Sequence, residues 1–373
     1  MVLACEAESY GLPEAQFRRV ENFGKPKEVG QAMQFSRRQV LAGLAATGLL
    51  ALSARAEDFL SIDAHNHVDV PLDGTAGPNL DLRGELDRAG LTAICMTFAV
   101  DYQPIREPAQ GYQRFLHGLD AMDAQLARNE MTRALQAADL RAEKLTVIQS
   151  IEGAHFLEGK LERMEEAYGR GLRHFGLLHD HDATPPLGDV FTNPEAFGGL
   201  TQLGAGAVRE CNRLGMLLDM SHGSDKAVRD ALKISTRPLI VSHTGLNTRL
   251  GSNPKMARMM LPRLIRAELA REVARAGGVI GVWTHLADSA DEYAANVRAM
   301  VEVVGVDHVC IGTDSKLTPP PDGSDRGRTN SGWAGGGFYF VVAAALRKAG
   351  FSPAEIAKIG GLNYRRVFAA ATA

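Results

Sequence analysis

The amino-acid sequence predicts an α/β chain folded as a (β/α)8 barrel of the TIM type, and three observations carry that prediction. Eight short apolar runs alternate with amphipathic stretches from Ser61 onward. The runs are nearly continuous in apolar residues, as expected for parallel strands covered on both faces. Histidines and carboxylates recur where those runs end, and the C-terminal ends of the strands are where such barrels build their sites. No G-x-G-x-x-G follows the first run, which argues against a doubly wound open sheet.

The runs, in order, are "SIDAHNH" (61–67), "LTAICMTFAV" (91–100), "LTVIQSIEG" (145–153), "RHFGLLH" (173–179), "GMLLDMSH" (215–222), "PLIVSHTG" (238–245), "GGVIGVWTH" (277–285) and "DHVCIGTDS" (307–315). Between them, "LRAEKL", "GKLERMEEAYGRGL", "AGAVRECNRLG", "SDKAVRDALKI" and "RAELAREVARAGG" read as helices. Several end in glycine, a common helix stop. Long loops at 180–200 and 316–336 follow the fourth and eighth runs and are expected to shape access to the site.

The first run closes on His65-Asn66-His67. Positions i and i+2 of a strand face the same way, so both imidazoles converge. The remaining ends supply Met96-Thr97, Glu152, His179, His222, His243, His285 and Asp314, so that six of the eleven histidines lie at or beside strand ends. Imidazole and carboxylate without thiolate form a donor set that suits Zn2+ first. The number of candidates suggests two ions. His65, His67 and Asp314 would hold one, His222 and His243 the other, and Glu152 would bridge them. Such a pair polarises a carbonyl and provides a nucleophilic hydroxide at neutral pH. His155 is a candidate to orient a ligand, and His285 to line the pocket. His181 reads as a loop residue, Trp283 as core and Asp63 as structural, whereas His117, His174 and His308 read as surface or helix residues.

The rest of the chain narrows the class. Its 373 residues carry a net charge of −3, which excludes the basic footprint of a nucleic-acid binder. "FSRRQVLAGLAATGLLALSARA" contains Arg37-Arg38, an apolar run from Val40 to Leu52, and Ala54-Arg55-Ala56. Residues 33–56 therefore read as a twin-arginine export signal. The Tat translocon would then be a transient partner, and the expected location is the periplasm or outside the cell. Residues 1–32 read as a mis-assigned extension or disordered tail, and 57–373 as the barrel domain. Cys5, Cys95, Cys211 and Cys310 form no C-x-x-C pair or disulfide framework. The sequence does not set the oligomeric state, a homodimer being one option.

The pieces "IDAHNHVDVP", "SIEGAHFLEG", "GLRHFGLLHDHDATPP", "ECNRLGMLLDMSH", "VSHTG", "GGVIGVW", "VCIGTD" and "GGLNYRRVF" carry a family resemblance. The chain resembles the membrane dipeptidase (renal dipeptidase) family, peptidase family M19 of the amidohydrolase superfamily, from Ser61 to Phe368. The resemblance implies dipeptide hydrolysis by a binuclear zinc centre in a (β/α)8 barrel. It implies that His65 and Glu152 are metal ligands, Glu152 as the bridge, and that His222 and His243 serve the second ion. It casts Asp314 as proton carrier and His179 as the group that meets substrate and oxyanion, so that His179, Asp314 and Glu152 form the catalytic set.

Three departures from the family pattern stand out. His67 replaces the aspartate of the usual H-x-D, is kept as a ligand, and removes a negative charge. Gly312-Thr313-Asp314-Ser315-Lys316 stands for G-D-F-D-G. "ARMMLPR" stands where R-N-x-P supplies an arginine for the substrate carboxylate. Arg258, Arg326 and Arg328 are the candidate anchors. Two other functions stay open: the same centre acting on an N-acyl amino acid, lactone or phosphoester, and a metal-containing periplasmic protein that hydrolyses nothing.

Overall fold

The computed structural model describes residues 60–319 and 327–373. The predicted extension and export signal fall in 1–59, outside the described residues, and Arg326 falls in 320–326, also outside them.

The strands are β1 (Ile62–His67), β2 (Ala93–Ala99), β3 (Thr146–Glu152), β4 (Leu172–Gly176), β5 (Leu217–Asp219), β6 (Ile240–Thr244), β7 (Val279–Val282), β8 (Val309–Ile311) and β9 (Ser315–Lys316). Seven of the predicted runs contain their strand, and the fourth overlaps β4, which begins one residue earlier at Leu172. The helices are α1 (Leu82–Ala89), α2 (Gln110–Arg128), α3 (Arg163–Gly169), α4 (Gln202–Leu214), α5 (Asp225–Ile234), α6 (Pro254–Met260), α7 (Ala267–Arg275), α8 (Ala290–Val304), α9 (Phe338–Lys348), α10 (Pro353–Ala357) and α11 (Asn363–Thr372). All pairings are parallel. Strands β1 to β8 pair in sequence, and β1 also pairs with β8 and with β9. The product is a nine-stranded parallel α/β sheet that curls until its eighth strand meets its first. Among the described residues no helix is long and apolar enough to cross a membrane.

Local chemistry sets the helix limits. Thr201, Ser224 and Ser289 accept from the backbone N–H groups of Gly204, Ala227 and Glu292, capping α4, α5 and α8. Gly215 ends α4 in the left-handed region at φ 81°, where a β-carbon would be strained. "LRAEKL" is not a helix. Six residues make fewer than two turns; Arg141 instead bridges Lys144, and Leu140 is buried in the inner core.

Two apolar layers hold the sheet. An inner cluster gathers Ile62, Ala64, Cys95, Ile148, Leu217, Ile240, Val279 and Cys310 with Tyr364 and Phe368 of α11. A larger one fills the space between strands and helices, with Ile94, Met96, Phe98, Phe115 and Phe156 among its members. Removing a buried aromatic such as Phe368 would cost about 3–5 kcal/mol.

The register of β1 against β2 shifts between Asp63 and Asn66. Below the shift Ile62 and Ala64 join the inner cluster; above it His65 and His67 face the same interior. One extra residue reverses the side-chain alternation, so an apolar floor gives way to imidazoles within one strand. Asp63 faces the other way. It accepts from the Thr313 amide (2.8 Å), the Thr313 hydroxyl (2.6 Å) and Asn66 Nδ2 (2.8 Å), the structural role expected of it. His174 differs from expectation: it is not a surface residue but fully buried in β4, where its Nε2 meets Asp219 at 3.1 Å.

Candidate metal centre

Two kinds of position supply the site. His65, His67, Glu152 and His243 lie within β1, β3 and β6. His179, His222, His285 and Asp314 each lie three residues beyond the last residue of β4, β5, β7 and β8. Asp314 has a left-handed backbone, φ 53°, which aspartate tolerates better than most residues. Its amide donates to the His65 carbonyl (3.1 Å).

The Glu152 carboxylate sits amid five imidazoles. Its Oε1 lies 2.8 Å from His222 Nε2, 3.4 Å from His65 Nε2 and 3.5 Å from His243 Nε2. Its Oε2 lies 3.3 Å from His179 Nε2 and 3.7 Å from His67 Nε2. Asp314 Oδ1 is 3.0 Å from His67 Nε2, and its Oδ2 is 2.8 Å from His285 Nε2. Three sets of donors converge closely enough to hold an ion: His65, Glu152 and His243; His65, His67 and Asp314; and Glu152, His179 and His222. The second is the trio expected for one ion. His222 and His243 also meet, Nε2 to Nε2, at 3.0 Å.

An outer set of oxygens orients the rings. Ser242 Oγ lies 2.9 Å from His243 Nδ1 and 3.3 Å from His65 Nδ1, and donates to Asp219 Oδ2. Asp180 Oδ1 is 3.1 Å from His222 Nδ1, Asp101 Oδ1 is 2.7 Å from His179 Nδ1, and Tyr102 Oη is 2.8 Å from His67 Nδ1. A ring whose Nδ1 is engaged by oxygen turns its Nε2 to the centre. The nitrogens of His65 and His67 then face each other at 3.3 Å. Two ligands of one tetrahedral Zn2+, at about 2.0–2.1 Å from the ion, would stand about that far apart. The residues present therefore fit a divalent cation.

The charges agree. Burial pushes the Glu152 carboxyl up, but His179, His65 and His222 together hold it well below the usual carboxylate range. Burial lowers His222, yet Asp180 and Glu152 raise it to about 10. Burial lowers His179 as well, and Asp101 with Glu152 raises it to about 9. Burial and neighbouring His65 lower His243 to about 3. In the metal-free protein, protons on His179 and His222 balance the carboxylates, and a cation would compete with protons at such nitrogens.

All seven imidazole and carboxylate residues expected at the centre are thus brought together, and His285 joins them through Asp314. The candidate arginines lie apart from these residues or outside the described ones. Arg258 is exposed on α6. Arg328 is taken up by Glu85 of α1, at 2.7 Å. Arg263, the last residue of "ARMMLPR", comes to the site instead: its Nη2 donates to Asp180 Oδ2 at 2.6 Å. A single 3-10 turn, Leu261–Arg263, directly after α6 carries it there, which spacing from the strand could not reveal. Asp101 and Tyr102 are further site residues outside the predicted set, which takes Met96-Thr97 as what the second run contributes, whereas β2 continues to Ala99. Asp101 gathers imidazoles, with His181 Nδ1 at 3.1 Å and His155 Nε2 at 3.6 Å besides His179. His181 itself is mostly exposed.

Residues 53–373 match the model of the membrane dipeptidase family, peptidase family M19. The chain is similar to dipeptidase 3 of Mus musculus, 27% identical over 241 residues, covering 61% of this chain and 44% of that protein. The match thus spans less than half the length of that curated relative. Among solved structures, the fold is similar to that of the probable dipeptidase PvdM from Pseudomonas aeruginosa, with TM-score 0.69, 20% identity and coverage of 90% of this chain and 99% of that one. It is also similar to a metallo peptidase from Rhodobacter sphaeroides liganded with a phosphinate mimic of the dipeptide L-Ala-D-Ala, with TM-score 0.64, 19% identity and coverage of 84% and 99%.

Proposed function

This chain belongs to the membrane dipeptidase family, peptidase family M19, and on that premise we propose that it is a metallodipeptidase working with two zinc ions in an eight-stranded (β/α)8 barrel. The observation that carries the reading is the Glu152 carboxylate, with His222 on one oxygen at 2.8 Å and His179 on the other at 3.3 Å. His65, His67 and Asp314 would hold one ion, His222 and His243 the other, with Glu152 shared. The donor set is nitrogen and oxygen only, which favours zinc among borderline metals.

When bound, two divalent ions would supply Lewis acidity toward the scissile carbonyl and a water acidic enough to attack it at neutral pH. His179, kept charged by Asp101, would donate from Nε2 to the oxyanion that develops. Asp314 would take the proton of the attacking water and deliver it to the leaving amine. Arg263 would receive the substrate carboxylate, since a guanidinium matches a carboxylate bidentately. Phe191 stacks on His222, ring centroids 5.1 Å apart, and lies beneath Arg263, so anchor and centre share one wall. We also propose export by the twin-arginine pathway to the periplasm or beyond.

The test is a panel of dipeptides with L- and D-residues at the second position, N-acyl amino acids and lactones, assayed with and without chelator. Chelator-sensitive dipeptide turnover supports the proposal. Turnover confined to lactones or N-acyl amino acids shifts it to another amidohydrolase activity, and metal without any turnover to a non-hydrolytic protein.

A further inference from the structure

His67, one of the three departures from the family pattern, lies within the candidate metal centre. The Nε2 of His67 faces Asp314 Oδ1 at 3.0 Å and His65 Nε2 at 3.3 Å, while its Nδ1 faces Tyr102 Oη at 2.8 Å. A neutral imidazole that binds a cation through Nε2 must carry its proton on Nδ1. That N–H needs an acceptor, and among the described residues Tyr102 is the one within reach. An aspartate at this position would have needed none.

We propose that Tyr102 is a positioning residue for the metal centre: its phenol oxygen accepts from His67 Nδ1, and so makes the substituted histidine a ligand. The inference rests on the metal-centre reading above and deepens it.

The other rings are oriented by Ser242 within β6, Asp101 just past β2 and Asp180 in the loop after β4, and Ser242 and Asp101 are buried. Tyr102 stands in the loop after β2 and is 37% exposed; among the described residues its hydroxyl is the partner of His67 Nδ1. The phenol ring also meets His179 edge-on, with centroids 5.7 Å apart. Removing the hydroxyl alone would leave that contact in place. Burial and the nearby carboxylates of Glu152 and Asp314 hold the Tyr102 phenol well above its ordinary range, so it stays neutral and orients His67 without restoring the charge that an aspartate would bring.

The experiment is a double-mutant cycle read as metal retention rather than turnover. Wild type, Y102F, H67D and Y102F/H67D are loaded with Zn2+ and titrated with a chromophoric chelator, and cobalt-substituted samples give a spectrum of the ligand field. Loss of an orienting partner typically weakens metal binding about 10–100-fold. Y102F should therefore weaken retention of one ion by about that factor and alter the cobalt spectrum. In the H67D background, where no Nδ1 remains, the same change should have no effect beyond about twofold. Wild-type retention in Y102F would overturn the proposal, and so would an equal loss in both backgrounds, which would mark Tyr102 as acting by some route other than His67. Matching thermal melts of the metal-free proteins check that each variant is folded. The readout counts ions, so either of those results leaves the dipeptidase reading standing. A wild-type chain that takes up no divalent ion overturns both.

Discussion

Asp101 Oδ1 lies 2.7 Å from Nδ1 of His179, and both side chains are buried. The pair sets the direction and the charge of the imidazole that meets the substrate. Asp101→Asn keeps the shape and removes the charge. We expect kcat to fall by about 10–100-fold with KM little changed, as for loss of an orienting partner. Steady-state kinetics on a dipeptide would check it; a drop in KM alone would count against the assigned role.

Arg263 and Arg258 separate by position. Arg263 reaches Asp180 beside His222, while Arg258 points from the exposed side of α6. Loss of a charge-assisted contact is worth about 1.5–3 kcal/mol. Arg263→Gln should raise KM for dipeptides by about 10–100-fold, whereas Arg258→Gln should change it less than twofold. Equal effects, or the reverse order, would return the anchor to α6.

Ser242 orients two rings, those of His65 and His243. Ser242→Ala should weaken zinc retention by about 10–100-fold while leaving the metal-free protein folded by circular dichroism. Isothermal titration with Zn2+ would show the change.

Much of this centre was legible in the residues themselves. His65, His67, Glu152, His222, His243 and Asp314 end apolar runs, and a parallel sheet brings run ends together whatever lies between them. What escaped notice depends on irregular chain. Arg263 arrives through a turn between α6 and α7, with no period to follow. Asp101 and Tyr102 lie just past the apolar run and β2, where an aspartate and a tyrosine carry no ligand signature of their own. His174 looked ordinary because its partner Asp219 is distant in sequence and meets it only across adjacent strands, at 3.1 Å. "LRAEKL" had the charge pattern of a helix but too few residues to make one, and burial of Leu140 decided the outcome.

Away from the centre, Asp189 organises the loop between β4 and α4. It is 2% exposed and accepts from the amides of Ala196 (2.7 Å), Phe197 (2.8 Å) and Gly199 (2.6 Å). Burial raises its pKa, but these amides outweigh burial and lower it. Asp189→Ala strands those donors and should cost about 1–3 kcal/mol. Because the folded pKa is depressed, the carboxylate's contribution is present above the unfolded value near 3.8 and is lost as pH falls through the folded one. The stability gap between wild type and Asp189→Ala, from denaturant melts, should therefore be full at pH 6 and shrink below pH 4. A gap that widened on acidification would contradict it.

The most direct measurement is elemental analysis of the purified chain alongside dipeptide turnover before and after chelation. The account predicts about two zinc ions per chain, loss of turnover as they are stripped, and its return when Zn2+ is restored. A chain that held no divalent ion, or one that cleaved dipeptides equally well without any, would contradict it.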